Sequence, residues 1–530
     1  MIESNANKQI ARATGIVMLA FVLSNLVGLI RQILVARAFG TGASLDAFYT
    51  AATLPDLLFN LMAGGALASA FIPTFTGFLS KENRDGAWRL ASSVMNISGL
   101  ALAFFSGISA LFAPQLVALL FILKPELDPA LKALTTDLLR IILIAPAIFG
   151  ISGLCMAILN THQKFLMPAL APVFNWIGWI IGIVFLVPRV GIYGLAWGYV
   201  LGALMHLGIQ IPGVLKLTGQ RYLPTFGFKD PAVREVARLM GPRLLGVMAV
   251  QVNFVINVII AQSLVEGSVT AINNARMVMT MPLFVIAQSI ATAALPTFAM
   301  QVSRGELSEM RSSLAATLRG IFLLSIPATL GLILLRQPLI AALFQRGAFD
   351  ANSTEMVSWA LMWYTAGLVG HSVVEILSRA FYALHDTKTP VIVGTIAMGL
   401  NVLFSFAFAL LFKQIGWMPH GGLALANSFA TALEAIVLFI VMRTRLNGIE
   451  GNQILRGVIP ALLATLAMSL SIFGWLSFAK DFNWWIISLA GVMIGGIIYF
   501  AVLWILRVPE LQYVMSGVLR RLKFYKPPSS

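Results

Sequence analysis

Charged side chains inside apolar stretches are the residues of this sequence that could carry chemistry. An ionisable side chain at the centre of a bilayer costs about 2.5–3.5 kcal/mol on insertion scales, so each one needs a partner or a function. The arginines outside apparent loops are Arg31, Arg37, Arg140, Arg243, Arg276 and Arg379. The acids in or beside apolar stretches are Asp46, Asp56, Glu375 and Glu434.

Arg31 and Arg276 are the best candidates for binding an anion. Arg31 lies about two thirds of the way along the first apolar stretch, and Arg276 lies early in a later stretch with no acid near it in sequence. A guanidinium binds phosphate or carboxylate through paired hydrogen bonds. For Arg31, the alternatives are an extended side chain that reaches the outer interface, or a pair with Asp46 or Asp56.

Two other charged sites allow two interpretations each. Asp46 could act in an outer gate or an ion pair, or it could cap a helix that begins near Ser44. His371, Glu375 and Arg379 are spaced by four residues and therefore share one helix face. They could form a Glu–Arg pair that neutralises itself in lipid, or a proton or cation relay that couples transport.

No other motif for chemistry stands out. The sequence has no nucleotide-binding lysine motif and no cluster with metal-ligand spacing, so we expect no catalytic residue, no metal and no cofactor. The single cysteine, Cys155, excludes a disulfide framework. The net charge is +15, but the basic residues are not clustered, which argues against a nucleic-acid partner.

The composition predicts an all-α polytopic membrane protein. The 530 residues are 59% hydrophobic and 11% charged, with a mean hydropathy of +0.88, whereas soluble domains are about 25% charged. Spanning a bilayer takes about 20 apolar residues as a helix. Two of the apolar stretches, 48–78 and 270–300, contain Pro and Gly and are expected to be bent or broken. We predict fourteen spans, at about 15–37, 48–78, 90–112, 134–159, 166–187, 191–214, 238–264, 270–300, 314–335, 356–383, 389–412, 421–442, 456–477 and 484–506.

The loop charges predict the orientation. With the N-terminus inside, roughly three times as many loop lysines and arginines lie on the inner side as on the outer side, as the positive-inside rule requires. Both termini are therefore expected to be cytoplasmic.

An internal repeat predicts two lobes. Ile72–Phe75 matches Leu295–Phe298, and Gly194–Ala196 matches Gly422–Ala424, at similar offsets. A repeat of six helices inserts both copies the same way up, so the lobes should be related by a pseudo-two-fold axis along the membrane normal. The predicted domains are 1–218 and 219–445, one lobe each, and 446–530, two extra helices and a basic cytoplasmic tail. This architecture indicates a transporter that works by alternating access.

Short segments along nearly the whole chain resemble the MviN/MurJ lipid II flippases of the multidrug/oligosaccharidyl-lipid/polysaccharide exporter superfamily. Near the start these are Ser24–Arg31, Val35–Gly40, Asp46–Phe48 and Ala70–Pro73. Further along they are Met240–Pro242, Gly267–Val269, Ala291–Pro296, Leu343–Gly347, Arg379–Tyr382 and Asp386–Pro390.

The resemblance implies a flippase of the bacterial inner membrane that moves lipid II, an undecaprenyl-diphosphate-linked peptidoglycan precursor, from the inner to the outer leaflet. It implies an anionic polyprenyl-diphosphate lipid as substrate, a bilayer environment and cell-wall synthesis proteins as partners. Arg31 and Arg276 would hold the diphosphate, and membrane potential or an ion gradient would drive transport.

The chain departs from the family pattern at several cationic positions. Asn25 stands where the family has an arginine, and Phe59 and Asn60 stand where it has an arginine pair. Asn25 and Asn60 would then give the headgroup neutral hydrogen bonds. Arg276 precedes Pro282 by six residues rather than five, with Met277 in the usual arginine position.

Other functions remain open on the sequence alone. Within transport, the alternative is an exporter of another lipid-linked oligosaccharide or a cation-coupled drug exporter. A polytopic glycosyltransferase would need catalytic carboxylates on a large outer loop, and the outer stretch from Lys124 to Asp137 is short.

Overall fold

The computed structural model describes residues 2–62, 66–126, 128–217, 219 and 221–511. Side chains at 2–14, 16, 62, 66–69, 242, 243, 245, 246 and 249 lie outside that description, as does the basic tail after residue 511. The Arg243 side chain is therefore not described. The chain divides into two compact units, the first Met1–Thr270 with Arg346–Asp350 and the second Ala271–Gln345 with Ala351–Ser530. The lobe boundaries at residues 218 and 445 come from the sequence repeat and stay predictions.

The first unit is built from helices. They are α1 (Ile2–Phe39), α2 (Ala43–Met62), α3 (Ala66–Ser80), α4 (Arg84–Leu111), α5 (Ala113–Leu120), α6 (Pro129–Ile142), α7 (Ala145–Thr161), α8 (Leu166–Ile181), α9 (Val187–Val190), α10 (Ile192–Gly208), α11 (Ile211–Leu215) and α12 (Pro231–Gln262). A five-residue π-helical turn, Gly182–Leu186, joins α8 to α9.

The second unit is also helical in the part that the structure describes. Its helices are α13 (Ser268–Leu283), α14 (Ser289–Ser303), α15 (Leu307–Phe344), α16 (Ala351–Ala366), α17 (Leu368–Ala383), α18 (Lys388–Gln414), α19 (His420–Arg445), α20 (Gly451–Phe478) and α21 (Trp484–Ile505). A second π-helical turn, Phe284–Gln288, joins α13 to α14.

The helices confirm an all-α membrane fold. Among the described residues, eleven helical stretches are long and apolar enough to cross a membrane, and there are twelve if α16 and α17, bent by 43°, are counted as one span. The region 270–300 is one such stretch, Ser268–Ser303, interrupted by its π-helical turn. The region 48–78 contains two helices, α2 and α3. The total of fourteen spans stays a prediction.

Local sequence signals explain where several helices begin. The side chains of Asn83, Asp128, Asp230 and Asn483 accept hydrogen bonds from the first backbone N–H groups of α4, α6, α12 and α21. Such caps satisfy donors that have no partner inside the helix. Proline follows the cap directly at the start of α6 and α12, where it costs no hydrogen bond.

Glycines bring α8 and α10 close together. A Cβ at Gly178 would overlap the backbone of Gly202, and a Cβ at Gly182 would overlap the backbone of Gly198. Small residues at a helix interface permit this close backbone approach in membranes. The contact fixes α8 within the first unit, and α8 in turn packs against α1.

The two last helices pack against α15 in the second unit. Leu323 and Leu335 of α15 join Met468 of α20 and Tyr499 of α21 in one buried apolar cluster. The Tyr499 hydroxyl donates a 2.5 Å hydrogen bond to the Leu323 carbonyl oxygen. The two helices at 446–505 are therefore integrated with α15 rather than loosely attached.

Candidate substrate-binding and charged sites

Arg31 lies in a corner formed by two tryptophans of α8. Its guanidinium carbon is 4.5 Å from the centre of the Trp176 ring and 4.7 Å from that of Trp179. The two indole planes meet at 67°, with 6.0 Å between the ring centres. Both rings present a π-face to the cation, an arrangement that attracts a guanidinium.

The N–H groups of Arg31 have no hydrogen-bond acceptor among the residues that the structure describes, and its Nε is buried. Tyr49 and Asp56 lie within electrostatic range, but neither is hydrogen-bonded to it. A half-buried guanidinium with unsatisfied N–H groups is suited to an incoming oxyanion.

Aromatic residues of α2 and α10 pack against Trp179. The Tyr199 ring centre on α10 is 5.1 Å from that of Trp179, and the Phe48 ring on α2 meets Trp179 edge-on at 5.6 Å. The Tyr199 hydroxyl donates a 2.5 Å hydrogen bond to Asp56. Helices α1, α2, α8 and α10 therefore meet at this one place in the first unit.

The asparagines predicted to contact the headgroup stay a prediction. The Asn25 amide donates a 2.8 Å hydrogen bond to the Phe21 carbonyl oxygen of its own helix, and the residue is exposed. Asn60 is half-buried on α2. The neighbouring Phe59 ring packs 4.7 Å from that of Phe149.

Asp46 receives donors from the segment that begins α13. Its carboxylate accepts hydrogen bonds of 2.8 Å from the Gly267 and Thr270 N–H groups and 2.7 Å from the Thr270 hydroxyl. The side chain is buried, with 4% exposed. Asp46 therefore satisfies backbone donors at a helix start far along the chain, and its role as a gate stays a prediction.

The segment Arg346–Asp350 packs on the turn after α1. The Ala348 N–H donates a 2.9 Å hydrogen bond to the Arg37 carbonyl oxygen. Gly40 and Gly347 both have positive φ, and a Cβ on either would overlap the opposite backbone. Only glycine fits both the conformation and the space at these two positions.

Arg276 has a local partner in the second unit. Its Nη2 donates a 3.2 Å hydrogen bond to the Asn273 side-chain oxygen one turn earlier in α13. Tyr364 of α16 lies within its electrostatic range. The side chain is half-buried, and its role in anion binding stays a prediction.

The three-residue series on α17 forms a polar face. His371 Nε2 is 3.1 Å from the Asn427 side-chain oxygen of α19. Arg379 and Glu375 form an ion pair at 3.6 Å, with 26% and 36% of the side chains exposed. Glu434 of α19 interacts electrostatically with Glu375. Among the described residues, no group of three or more His, Cys, Asp or Glu could hold a metal ion.

Sequence reasoning missed the tryptophan corner. Trp176 and Trp179 are three residues apart on an apolar helix, which places them on one face. The available signal was this pair of tryptophans on one helix face, together with Arg31 in another apolar stretch. The donors to Asp46 left no comparable signal because most of them are backbone N–H groups.

Comparisons with known proteins agree over most of the chain. The family model described as "Lipid II flippase MurJ" matches residues 35–495. "Lipid II flippase MurJ" of Burkholderia cenocepacia is 32% identical over 431 residues, which cover 80% of this chain and 82% of that protein. "Probable lipid II flippase MurJ" of Vibrio cholerae is 30% identical over 447 residues, covering 83% and 84%.

Two solved structures are also similar. "Lipid II flippase MurJ, inward closed conformation" has a TM-score of 0.77 and 26% identity, covering 92% of this chain and 97% of that one. An inward-facing multidrug resistance MATE family transporter of the MOP superfamily has a TM-score of 0.66 and 15% identity, covering 80% and 94%. The second likeness shows the fold alone.

Proposed function

The chain belongs to the lipid II flippase MurJ family, and from this premise we propose that it carries lipid II from the inner to the outer leaflet of a bacterial inner membrane by alternating access. The family match extends over residues 35–495 and supports this function for the chain as a whole. As a transporter, it would catalyse no covalent step.

Arg31 is the observation that carries the substrate proposal. Its guanidinium has no hydrogen-bond acceptor among the described residues, and a diphosphate offers oxygen acceptors in a geometry that arginine matches. Arg276 would supply a second cation to the diphosphate, and Asn25 and Asn60 would give the headgroup neutral hydrogen bonds.

The remaining parts of the proposal concern the architecture and the energy source. The lobes would be 1–218 and 219–445, with 446–530 as an appendage and both termini cytoplasmic. Asp46 would act in an outer gate, and His371, Glu375 and Arg379 would couple transport to an ion gradient. Proteins of cell-wall synthesis would be the partners.

The alternative of a drug exporter or an exporter of another lipid-linked oligosaccharide is not favoured. The MATE transporter shares the fold at only 15% identity, which carries no inference about substrate. The relatives that cover most of the chain at 30% identity or more are lipid II flippases by name.

Complementation tests the proposed function. The chain would be expressed in bacteria depleted of their own lipid II flippase, beside Arg31→Ala, Arg276→Ala and the control Arg189→Ala. Arg189 is an exposed arginine on α9 that donates a hydrogen bond to the Phe185 carbonyl oxygen of the preceding π-helical turn, so it is matched in charge but not in role. We expect rescue by the intact chain and by the control, and loss of rescue for the other two variants at equal membrane levels.

Reconstitution separates transport from cell growth. Purified chain in liposomes should move labelled lipid II between leaflets, whereas the Arg31→Ala variant should not. Absence of movement with well-inserted intact chain, together with failed complementation, would contradict the proposal.

A further inference from the structure

The contact between Arg31 and the two tryptophans extends the proposed function and depends on it. Trp179 is 6% exposed and Trp176 is half-buried, so both indoles are fixed by packing. Their ring centres lie at nearly equal distances from the guanidinium carbon, 4.5 and 4.7 Å. A mobile arginine that merely passed near an aromatic ring would not meet two π-faces in this way.

The corner restrains the guanidinium without using its hydrogen bonds. The guanidinium carbon lies over both indole rings, whose planes are inclined by 67°, so the two rings contact the cation from two directions. The indoles therefore restrain the position of the guanidinium, and none of its N–H groups donates a hydrogen bond to a residue that the structure describes. A single cation held in one orientation loses less conformational entropy on binding than a free arginine does.

A glycine on α1 keeps this contact in place. Gly28 lies one turn before Arg31, and a Cβ at Gly28 would come within 3.3 Å of the Trp176 indole nitrogen. The absence of a side chain at Gly28 allows the indole to lie against α1. Trp179 is held in turn by Tyr199 and Phe48.

We propose that Trp176 and Trp179 are positioning residues that orient Arg31 toward the phosphate oxygens of a polyprenyl-diphosphate lipid. In this arrangement the affinity for the diphosphate depends on the orientation of the cation as well as on its charge. The ligand class is a phosphorylated polyprenyl lipid, and the recognised part is the diphosphate rather than the hydrocarbon chain.

Binding measurements on the full chain in nanodiscs test this role. The ligands are lipid II, undecaprenyl diphosphate and the uncharged undecaprenol. The variants are Trp176→Leu, Trp179→Leu, the corresponding Phe variants, Gly28→Ala and Arg31→Ala. Trp197→Leu is the control, because Trp197 is an exposed tryptophan on α10 with 46% of its surface accessible.

We expect each Leu variant to weaken undecaprenyl diphosphate binding about 2- to 30-fold, the range of a cation–π contact. The Phe variants, which keep a π-face, should recover most of that loss. Gly28→Ala should weaken binding in the same direction, and undecaprenol binding and the Trp197→Leu control should not change.

A double-mutant cycle distinguishes positioning from general packing. In the Arg31→Ala background the Leu substitutions should have no further effect on diphosphate binding, because the residue they orient is gone. Equal losses in both backgrounds, or no loss in the Leu variants while Arg31→Ala binds weakly, would refute the positioning role alone. If Arg31→Ala binds lipid II as tightly as the intact chain, the role of Arg31 in the proposed function is refuted as well.

Discussion

The Gly267 N–H donates a 2.8 Å hydrogen bond to the carboxylate of Asp46, which lies 221 positions earlier in the chain. Thr270 adds two more donors to the same buried carboxylate. Asp46→Ala would leave these donors without an acceptor and should lower the free energy of unfolding by about 3 kcal/mol. Asp46→Asn keeps one acceptor oxygen and should cost less. Denaturant unfolding in detergent micelles measures both changes, and equal stability of all three proteins would contradict the assignment.

Gly40 and Gly347 should not tolerate alanine. Both have positive φ, and a Cβ on either meets backbone atoms of the segment opposite. The left-handed conformation alone costs about 1–2 kcal/mol with a side chain. Gly191→Ala is the matched control because its φ is +60° and nothing lies within 4 Å of its Cβ. Thermal unfolding should show a larger loss for Gly40→Ala and Gly347→Ala than for the control; similar losses for all three would argue against the steric explanation.

Lipid II binding should depend on the planar guanidinium group of Arg276 as well as on its charge. Arg276→Lys retains the cation but loses the paired donors and the bond to Asn273. We expect Arg276→Ala to weaken lipid II binding about tenfold or more, the effect of losing a charged hydrogen bond, and Arg276→Lys to fall between it and the intact chain. Equilibrium binding in nanodiscs provides the measurement. A lysine variant that binds like the intact chain would mean that charge alone is required.

The ion pair between Glu375 and Arg379 on α17 allows a test of whether lipid II transport is coupled to a proton gradient. If Glu375 carries the coupling proton, Glu375→Gln should make lipid II transport insensitive to an imposed pH gradient, whereas Arg379→Gln should leave the sensitivity in place. Proteoliposomes with a gradient of either direction provide the assay. If the pair only neutralises itself, neither variant should alter the gradient dependence.

Asp386, in the loop between α17 and α18, should make the free energy of unfolding depend on pH in the acid range. Hydrogen bonds from the Thr389 N–H and hydroxyl, with a smaller contribution from Arg445, hold the pKa of Asp386 below its ordinary value. Because the pKa of Asp386 is lower in the folded state, its carboxylate stabilises the fold at pH values above the unfolded pKa of about 3.9. This stabilisation is lost as the pH falls through the folded pKa. Unfolding measured from pH 6 to pH 2.5 should show this loss in the intact chain and a smaller one in Asp386→Asn. An equal loss of stability with falling pH in the intact chain and in Asp386→Asn would refute this prediction.

The positions of apolar stretches predicted most of the helices because a membrane span is encoded by a run of neighbouring residues. The predicted stretch 389–412, for example, lies inside α18, Lys388–Gln414. The sequence also singles out Arg31, because an arginine in such a run is costly and therefore conspicuous. Its role in substrate binding stays a prediction.

The surroundings of these residues could not be predicted in the same way. Tyr199 and Asp56 are hydrogen-bonded across 143 positions, a pairing that no local pattern encodes. The tryptophans of α8 are ordinary residues for an apolar helix, and only the fold brings them to Arg31. For Asp46, most of the donors are backbone N–H groups, which every residue except proline possesses.

The π-helical turn at Gly182–Leu186 begins three residues after Trp179. Such a turn accommodates about one residue more than an α-helical turn, and one residue corresponds to about 100° of rotation. Removal of a residue from this turn would therefore rotate the chain that follows, while the faces of Trp176 and Trp179 would keep their direction toward α1. The π-helical turn therefore sets the direction in which the chain continues toward α9 without changing the helix face that carries Trp176 and Trp179.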